Sequence, residues 1–229
     1  MRLPLFMRKL HKWLGVIIGL QVLFWVAGGL VMSYLPLDEI KAKHRMESFT
    51  PNAIRVSELV PLSNLAKPEE TLSEFKLVHN PLHSLYQLVD GNAVSHFFNA
   101  LTGASHEGYV ESEIRELAEA YYKGQVEIRS VTLENSESYE YKGRLPIWRV
   151  DFADEDNTTF YIHNDTGELA TGRTTRWRVF DFVWMLHIMD YQDRSNFNTW
   201  WLVLMAFAAL IFTLSGIYLV FKSFRKRRS

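Results

Sequence analysis

The sequence predicts an α+β protein: two transmembrane helices, with both chain ends cytoplasmic, flank an extracytoplasmic domain of two repeated units, each a helix laid on a small antiparallel sheet. Three observations carry this prediction. They are two charge-free apolar runs, a segregation of charge between the ends and the middle, and two hairpin-like stretches of matching pattern.

The first run, Trp13 to Leu35, holds 23 residues without a charge. As a helix it reaches about 34 Å, enough to cross a hydrocarbon core of about 30 Å. Its apolar stretch exceeds a signal-peptide core of about 7 to 15 residues and no A-x-A site follows, so an uncleaved anchor is expected. The second run, Trp200 to Phe221, holds 22 uncharged residues, and its hydroxyls can bond back to the helix. Trp13, Trp25, Tyr34, Trp200 and Trp201 supply aromatic anchors.

Net charge is −1, but residues 1–12 and 222–229 carry nine cations and no acid. The segment between them therefore sets 16 cations against all 26 acids, a net charge of −10. By the positive-inside rule the basic ends are cytoplasmic and the acidic middle is periplasmic or external. Nucleic acid is excluded as a partner, because the acidic middle repels phosphate. The absence of cysteine excludes disulfides, iron–sulfur clusters, covalent c-type haem and a thiol nucleophile.

Within the middle, LYQLVDGNAVSHFFNALTG (85–103) matches IWRVDFADEDNTTFYIHNDTG (147–167), at an offset of 62 at the start and 64 at the Thr-Gly end. Each alternates apolar and polar residues about a turn rich in Asp, Asn and Gly, the mark of a β-hairpin. Upstream of the second, Ile114, Leu117, Ala118 and Tyr121 fall on one face of a helix ended near Gly124, and VEIRSVTLE follows as a strand. The first hairpin has a weaker counterpart in SELVPLSNLAK and EFKLVH, with Pro61 inside the helical stretch. The common unit is helix and three strands, leaving one sheet face open. The expected organisation is a cytoplasmic start (1–12), a span (13–35), two repeats (36–110 and 111–175), an interfacial segment (176–198), a second span (199–221) and a basic tail (222–229). In 176–198, Trp177, Phe180, Trp184 and His187 share a helical face, so this segment lies along the membrane surface or packs against a sheet.

Chemistry is sparsely signalled. No G-x-S-x-G, H-E-x-x-H, phosphate loop or dinucleotide fingerprint occurs, so no catalytic residue and no metal site is predicted. His79 and His83 are four apart, but Pro81 between them opposes a shared helical face. His96 and His163 read as half-exposed strand positions, and Asp154 and Asp156 as a solvated turn. His11 is different: Gly15 and Gly19 follow it on one helix face, so its imidazole stands above a smooth groove. One reading is glycine-mediated helix packing capped by an interfacial histidine. The other is an axial haem ligand, with His187 as its counterpart near the opposite membrane face and His44 as a substitute.

LHKWLGVIIGLQVLFWVAGGLVMS resembles the first transmembrane motif of PepSY-associated membrane proteins. MLHIMDYQDRSNFNTWWLVLMAFAALIFTLSGIYLVFK resembles their closing motif, a Leu-His pair followed by a span ending in Ser-Gly. The hairpins ending in ALTG and NDTG are similar to PepSY repeats, small α+β units also found in metallopeptidase propeptides. Longer relatives have four or more spans, and some resemble haem-b reductases that carry electrons outward to ferric siderophores. The resemblance implies haem b as a cofactor, held by His11 and His187, and iron uptake as the process. With two spans, one chain supplies no bis-histidine pair. A homodimer restores the count, two His11 clamping one haem at the inner face and two His187 another at the outer.

Three functions follow as expectations. The chain is a non-catalytic binding or regulatory module of the bacterial inner membrane, its open sheet edges taking a periplasmic protein partner by strand addition. Alternatively it is a haem-b electron carrier supporting ferric-siderophore reduction. As a sensor it would need a partner, because the basic tails are too short for an output domain. In each case the lipid bilayer is the first partner.

Overall fold

The computed structural model describes residues 3–51, 53–65 and 71–227. The chain divides into two units, Met1–Pro36 with Arg178–Ser229, and Leu37–Trp177.

The first unit is helical. Helix α1 spans Leu3–Tyr34 and α5 spans Trp200–Arg227, and within them Leu5–Tyr34 and Trp200–Phe224 are long and apolar enough to cross a membrane. Their large apolar side chains point outward, Leu30 and Phe221 among the most exposed, as expected of surfaces that meet lipid rather than water. Helix α4 spans Thr175–Ile188, and Arg178–Ile188 of it belong to this unit. It stops ten residues before the end of the expected interfacial segment, where Met189 takes a positive φ of 54°.

The second unit begins with a one-turn helix α2 (Leu37–Ile40) and a 3₁₀ turn at Lys43–Arg45. Strands β1 (Leu72–His79), β2 (Ser84–Asp90), β3 (Ser95–Asn99) and β4 (Ser105–His106) form one antiparallel meander. After helix α3 (Glu111–Tyr121), strands β5 (Ile128–Glu134), β6 (Ile147–Phe152), β7 (Thr159–His163) and β8 (Leu169–Arg173) form another.

The two sheets correspond in detail. Each first strand carries an irregularity one residue in, at Leu72/Glu74 and at Ile128/Ser130. Each third strand ends in a turn closed by a glycine amide, Gly103 N–H to Asn99 O and Gly167 N–H to His163 O. Those glycines have φ of 76° and 65°, which side chains rarely adopt. This turn folds the chain back as a fourth strand in each sheet, one more than the hairpin pattern predicted. Strands β4 and β8 are short and lack alternation, so periodicity could not announce them.

Two further expectations are corrected. The helix foreseen at SELVPLSNLAK is replaced by 3₁₀ turns at Val56–Glu58 and Leu62–Asn64, its last two residues lying outside the described ones. Pro61 lacks an N–H and bars Val60 before it from helical geometry. The freed Val60 N–H bonds Ala100 O instead at 2.9 Å. Nor is a face of the second sheet left open. Helix α3 sets Ile114, Leu117, Ala118 and Tyr121 on Val150, Phe152, Phe160 and Ile162, the largest core of the unit. On the other face Tyr141 stacks on Tyr161 at 5.1 Å and packs with Ile147 and Leu145.

The sheets are joined by buried polar contacts. Asn80 donates to Tyr109 Oη (2.5 Å) and Thr166 O (2.8 Å), and its own oxygen accepts the amides of Leu82 and His83. His106 lies edge-on to Tyr109 at 4.5 Å, with Nε2 buried and unpartnered. Burial, and then the charge of His83, hold His106 below the ordinary imidazole range, against the weaker pull of Glu113 and Asp165. His163 is likewise lowered, by burial and then by Arg144, against Asp165 and Glu168. Both groups fold preferentially neutral, so stability is full above the unfolded pKa of about 6.5 and falls as pH drops through the lower folded values. Urea midpoints of this chain should therefore decrease between pH 7.5 and 5.5, and His106→Gln should flatten that slope; an unchanged slope in the variant assigns the pH response elsewhere.

Candidate functional site

His11 sits where α1 meets α5. Its Nδ1 lies 2.9 Å from Ser215 Oγ and 3.2 Å from Phe212 O. A carbonyl oxygen only accepts, so Nδ1 carries the hydrogen and Nε2 is left with the lone pair in the neutral ring. Ser215 donates onward to Phe212 O at 2.7 Å. The imidazole stacks flat on the Phe212 ring, centroids 4.3 Å apart at 8°.

The smooth groove expected beneath His11 is half filled. A Cβ on Gly15 would stand 3.2 Å from the Phe212 ring, whereas one on Gly19 would meet nothing within 4 Å. Opposite, a Cβ on Gly216 would stand 2.9 Å from His11 Cε1. Glycines at 15 and 216 thus let a histidine and a phenylalanine lie flat between two helices, the geometry of close packing.

His187 lies elsewhere in the same unit. Its carbonyl accepts the Trp25 indole N–H at 2.9 Å, and its ring stacks with Trp184 at 6.5 Å and 8°. Trp25 is fourteen residues beyond His11, so the two histidines are about 21 Å apart along α1. His187 Nδ1 is buried and has no hydrogen-bond partner. One chain does not bring His11 and His187 onto one haem.

His44 belongs to the second unit and has a different task. Its Nε2 is 3.0 Å from Asp156 Oδ2, which also receives Arg45 Nε at 2.8 Å. Asp156 is 9% exposed, so the solvated turn expected there is a buried node. Burial pushes its carboxyl up, but the bonds from His44 and Arg45 outweigh that and hold it below the usual carboxylate range. The Asp156 carbonyl accepts the Thr175 amide at 2.8 Å, and Arg176 pairs with Glu39 at 2.8 Å. The segment after α1 and the start of α4 are thereby clasped together.

The polar corner between α4 and α5 escaped the sequence reading. Asp190 accepts four backbone amides, from Gln192 and Asp193 on one oxygen and from Ser195 and Asn196 on the other. Buried Asp181 of α4 pairs with Arg194, whose carbonyl accepts the Trp184 indole N–H at 3.2 Å. The one acid in α4, set among arginines and apolar residues, with a further arginine thirteen residues on, was the available signal. Of the other histidines, His79 bonds Ser84 and His83 faces the Tyr109 hydroxyl. Among the described residues no three His, Asp or Glu side chains are grouped to hold a metal ion.

A family model described as PepSY-associated TM region matches residues 8–229. No curated protein and no solved structure matches the chain.

The close approach at Gly216 makes a sharp prediction. Gly216→Val should lower the stability of the detergent-solubilised chain by about 1 to 3 kcal/mol through overpacking against the pinned His11 ring. Gly19→Ala, with open space around it, should cost nothing; equal thermal unfolding of the two variants would contradict the packing described.

Proposed function

Since this chain belongs to the PepSY-associated TM region family, we propose that it is a bacterial inner-membrane protein whose second unit works in the periplasm as a non-catalytic binding or regulatory module. The basic termini support this sidedness, because cations are retained on the cytoplasmic side. The two sheets are read as PepSY-like repeats.

The observation that carries the reading is the β1 edge. Among the described residues β1 has β2 as its one sheet neighbour, and Ser73 to Lys76 along it are exposed, Phe75 at 46%. An eight-residue edge strand without proline presents unpaired backbone groups that a partner's extended segment can take up, while Phe75 offers an apolar contact. The Lys76–Glu74 ion pair guards the same edge against indiscriminate pairing.

The test is panning a displayed peptide library against the full chain in nanodiscs. Selected peptides should be extended, should slow amide exchange within residues 72–79, and should bind at least tenfold more weakly to Phe75→Asp. Binders that leave β1 exchange unchanged refute the reading.

A second reading is haem-b electron transfer supporting ferric-siderophore reduction by a homodimer. One observation favours it: Nδ1 of His11 donates to a main-chain carbonyl, which leaves Nε2 in the state a metal-binding imidazole needs. When bound, haem would supply one-electron transfer. His11 of two copies would hold one group and His187 of two copies another. Purified chain should then show a Soret band that shifts on dithionite reduction and is lost in His11→Ala, and a colourless protein rejects this reading.

A further inference from the structure

Helices α4 and α5 meet α1 at successive levels. Gly15 and His11 of α1 meet Phe212 and Ser215 of α5, in that order. Higher up, Gly28 lies against Val183 and Trp25 bonds His187 of α4. In both pairings α1 numbers rise as the partner's fall, so α4 and α5 run in the same direction against α1. With Ser215 opposite His11, Trp200 at the start of α5 reaches the level of about residue 26 of α1. Helix α1 continues to Tyr34, roughly 12 Å farther, and α4 meets it at Trp25 and Gly28, its earlier residues facing the levels beyond.

The two charge-free runs are nearly equal in length and offset along the helix pair. The charge-free part of α5, Trp200 to Phe221, spans about 33 Å, close to the hydrocarbon core alone. The charge-free part of α1, Trp13 to Leu35, spans about 34 Å, nearly the same length, but the register carries its far end about 13 Å beyond the start of α5. We infer that α4 stands upright in the headgroup layer on the side away from the basic termini, beside the last turns of α1. The α4–α5 corner then lies at the headgroup–acyl boundary, and the second membrane passage is made of two helical pieces. The occupant of the outward face of α4 is lipid.

Three features support lipid there. Val179 and Phe182 of α4 are 46% and 54% exposed, extending the apolar surface that Leu30 and Tyr34 present on α1. The corner sets Tyr191, Phe197, Trp200 and Trp201 outward together, an aromatic belt. Irregular backbone is tolerated at membrane depth only where its polar groups are satisfied. Here Asp190 takes four amides, Trp184 caps the Arg194 carbonyl, Trp25 caps the His187 carbonyl, and Asp181 neutralises Arg194. A helix lying flat on the surface, as the sequence pattern allowed, would not set His187 and Val183 against Trp25 and Gly28 in antiparallel order.

The chain has no cysteine, so single-cysteine nitroxide labels can be read without background. Labels at Val179→Cys, Phe182→Cys and Phe197→Cys, with Glu111→Cys and Phe207→Cys as water and core references, are placed in the full chain. The chain is reconstituted in vesicles of phosphatidylethanolamine and phosphatidylglycerol. Collision with oxygen should exceed collision with a water-soluble nickel chelate increasingly from 179 to 197, all three lying between the references. Nickel access at 179 and 182 equal to that at 111 overturns the inference. So does dipolar broadening between labels at 182, which would put a second copy on this face.

Discussion

A hydrogen-bonding group that faces acyl chains finds no water to turn to, and leaving it unpaired costs several kcal/mol. That constraint explains the contacts of the helical unit better than any catalytic demand. His11 is a titratable ring inside the α1–α5 contact, and it is met by a serine hydroxyl and a carbonyl from the facing helix. Its aromatic face is met by Phe212, and glycines at 15 and 216 clear the space. The same rule governs the α4–α5 corner. There, a break between two helices that would otherwise expose a run of amides gathers four of them on the Asp190 carboxylate.

In the second unit the same accounting is done with charges. Asp156 is nearly buried, and it persists because His44 and Arg45 reach it from a segment more than a hundred residues away in sequence. That segment also pairs with the chain beyond α3: Met46 bridges Tyr122, and Lys123 N–H bonds Arg45 O at 2.9 Å. The residues that follow α1 are therefore fastened to the second sheet and its helix, together with those that open α4.

The legible parts of the molecule were those written as periodicity or composition. Charge-free runs announced α1 and α5, and the spacing of Ile114, Leu117 and Tyr121 announced α3, because a helix face and a span are local properties of consecutive residues. The duplicated hairpins were legible for the same reason, down to the Thr-Gly pair that closes each turn. Strands β4 and β8 were not, since they exist by lying next to β3 and β7 rather than by any pattern of their own. His11 was picked out by its glycines, yet the ring that covers it comes from Phe212, two hundred residues on. Asp156 was misjudged because a turn of acids looks solvated until the distant cations that bury it are known. Asp181 and Arg194 carried a signal, a lone acid in α4 and an arginine thirteen residues on, whose meaning depended on their finding each other.

The two sheets share a plan, and their differences allocate roles. The second keeps its helix, has Tyr141 over its other face, and receives the chain segments that follow α1 and precede α4. The first has exchanged its helix for two 3₁₀ turns around Pro61 and keeps an exposed edge strand. Both sheets end on an edge strand, β1 and β5, and the β1 edge lies in the sheet that does not take those fastened segments. An unfastened edge can accept a new strand without giving up an existing contact. Such asymmetry within one plan puts the fastened contacts in one sheet and an exposed edge strand in the other, and the Asn80–Tyr109–Thr166 junction joins the two with groups that neither could bury alone.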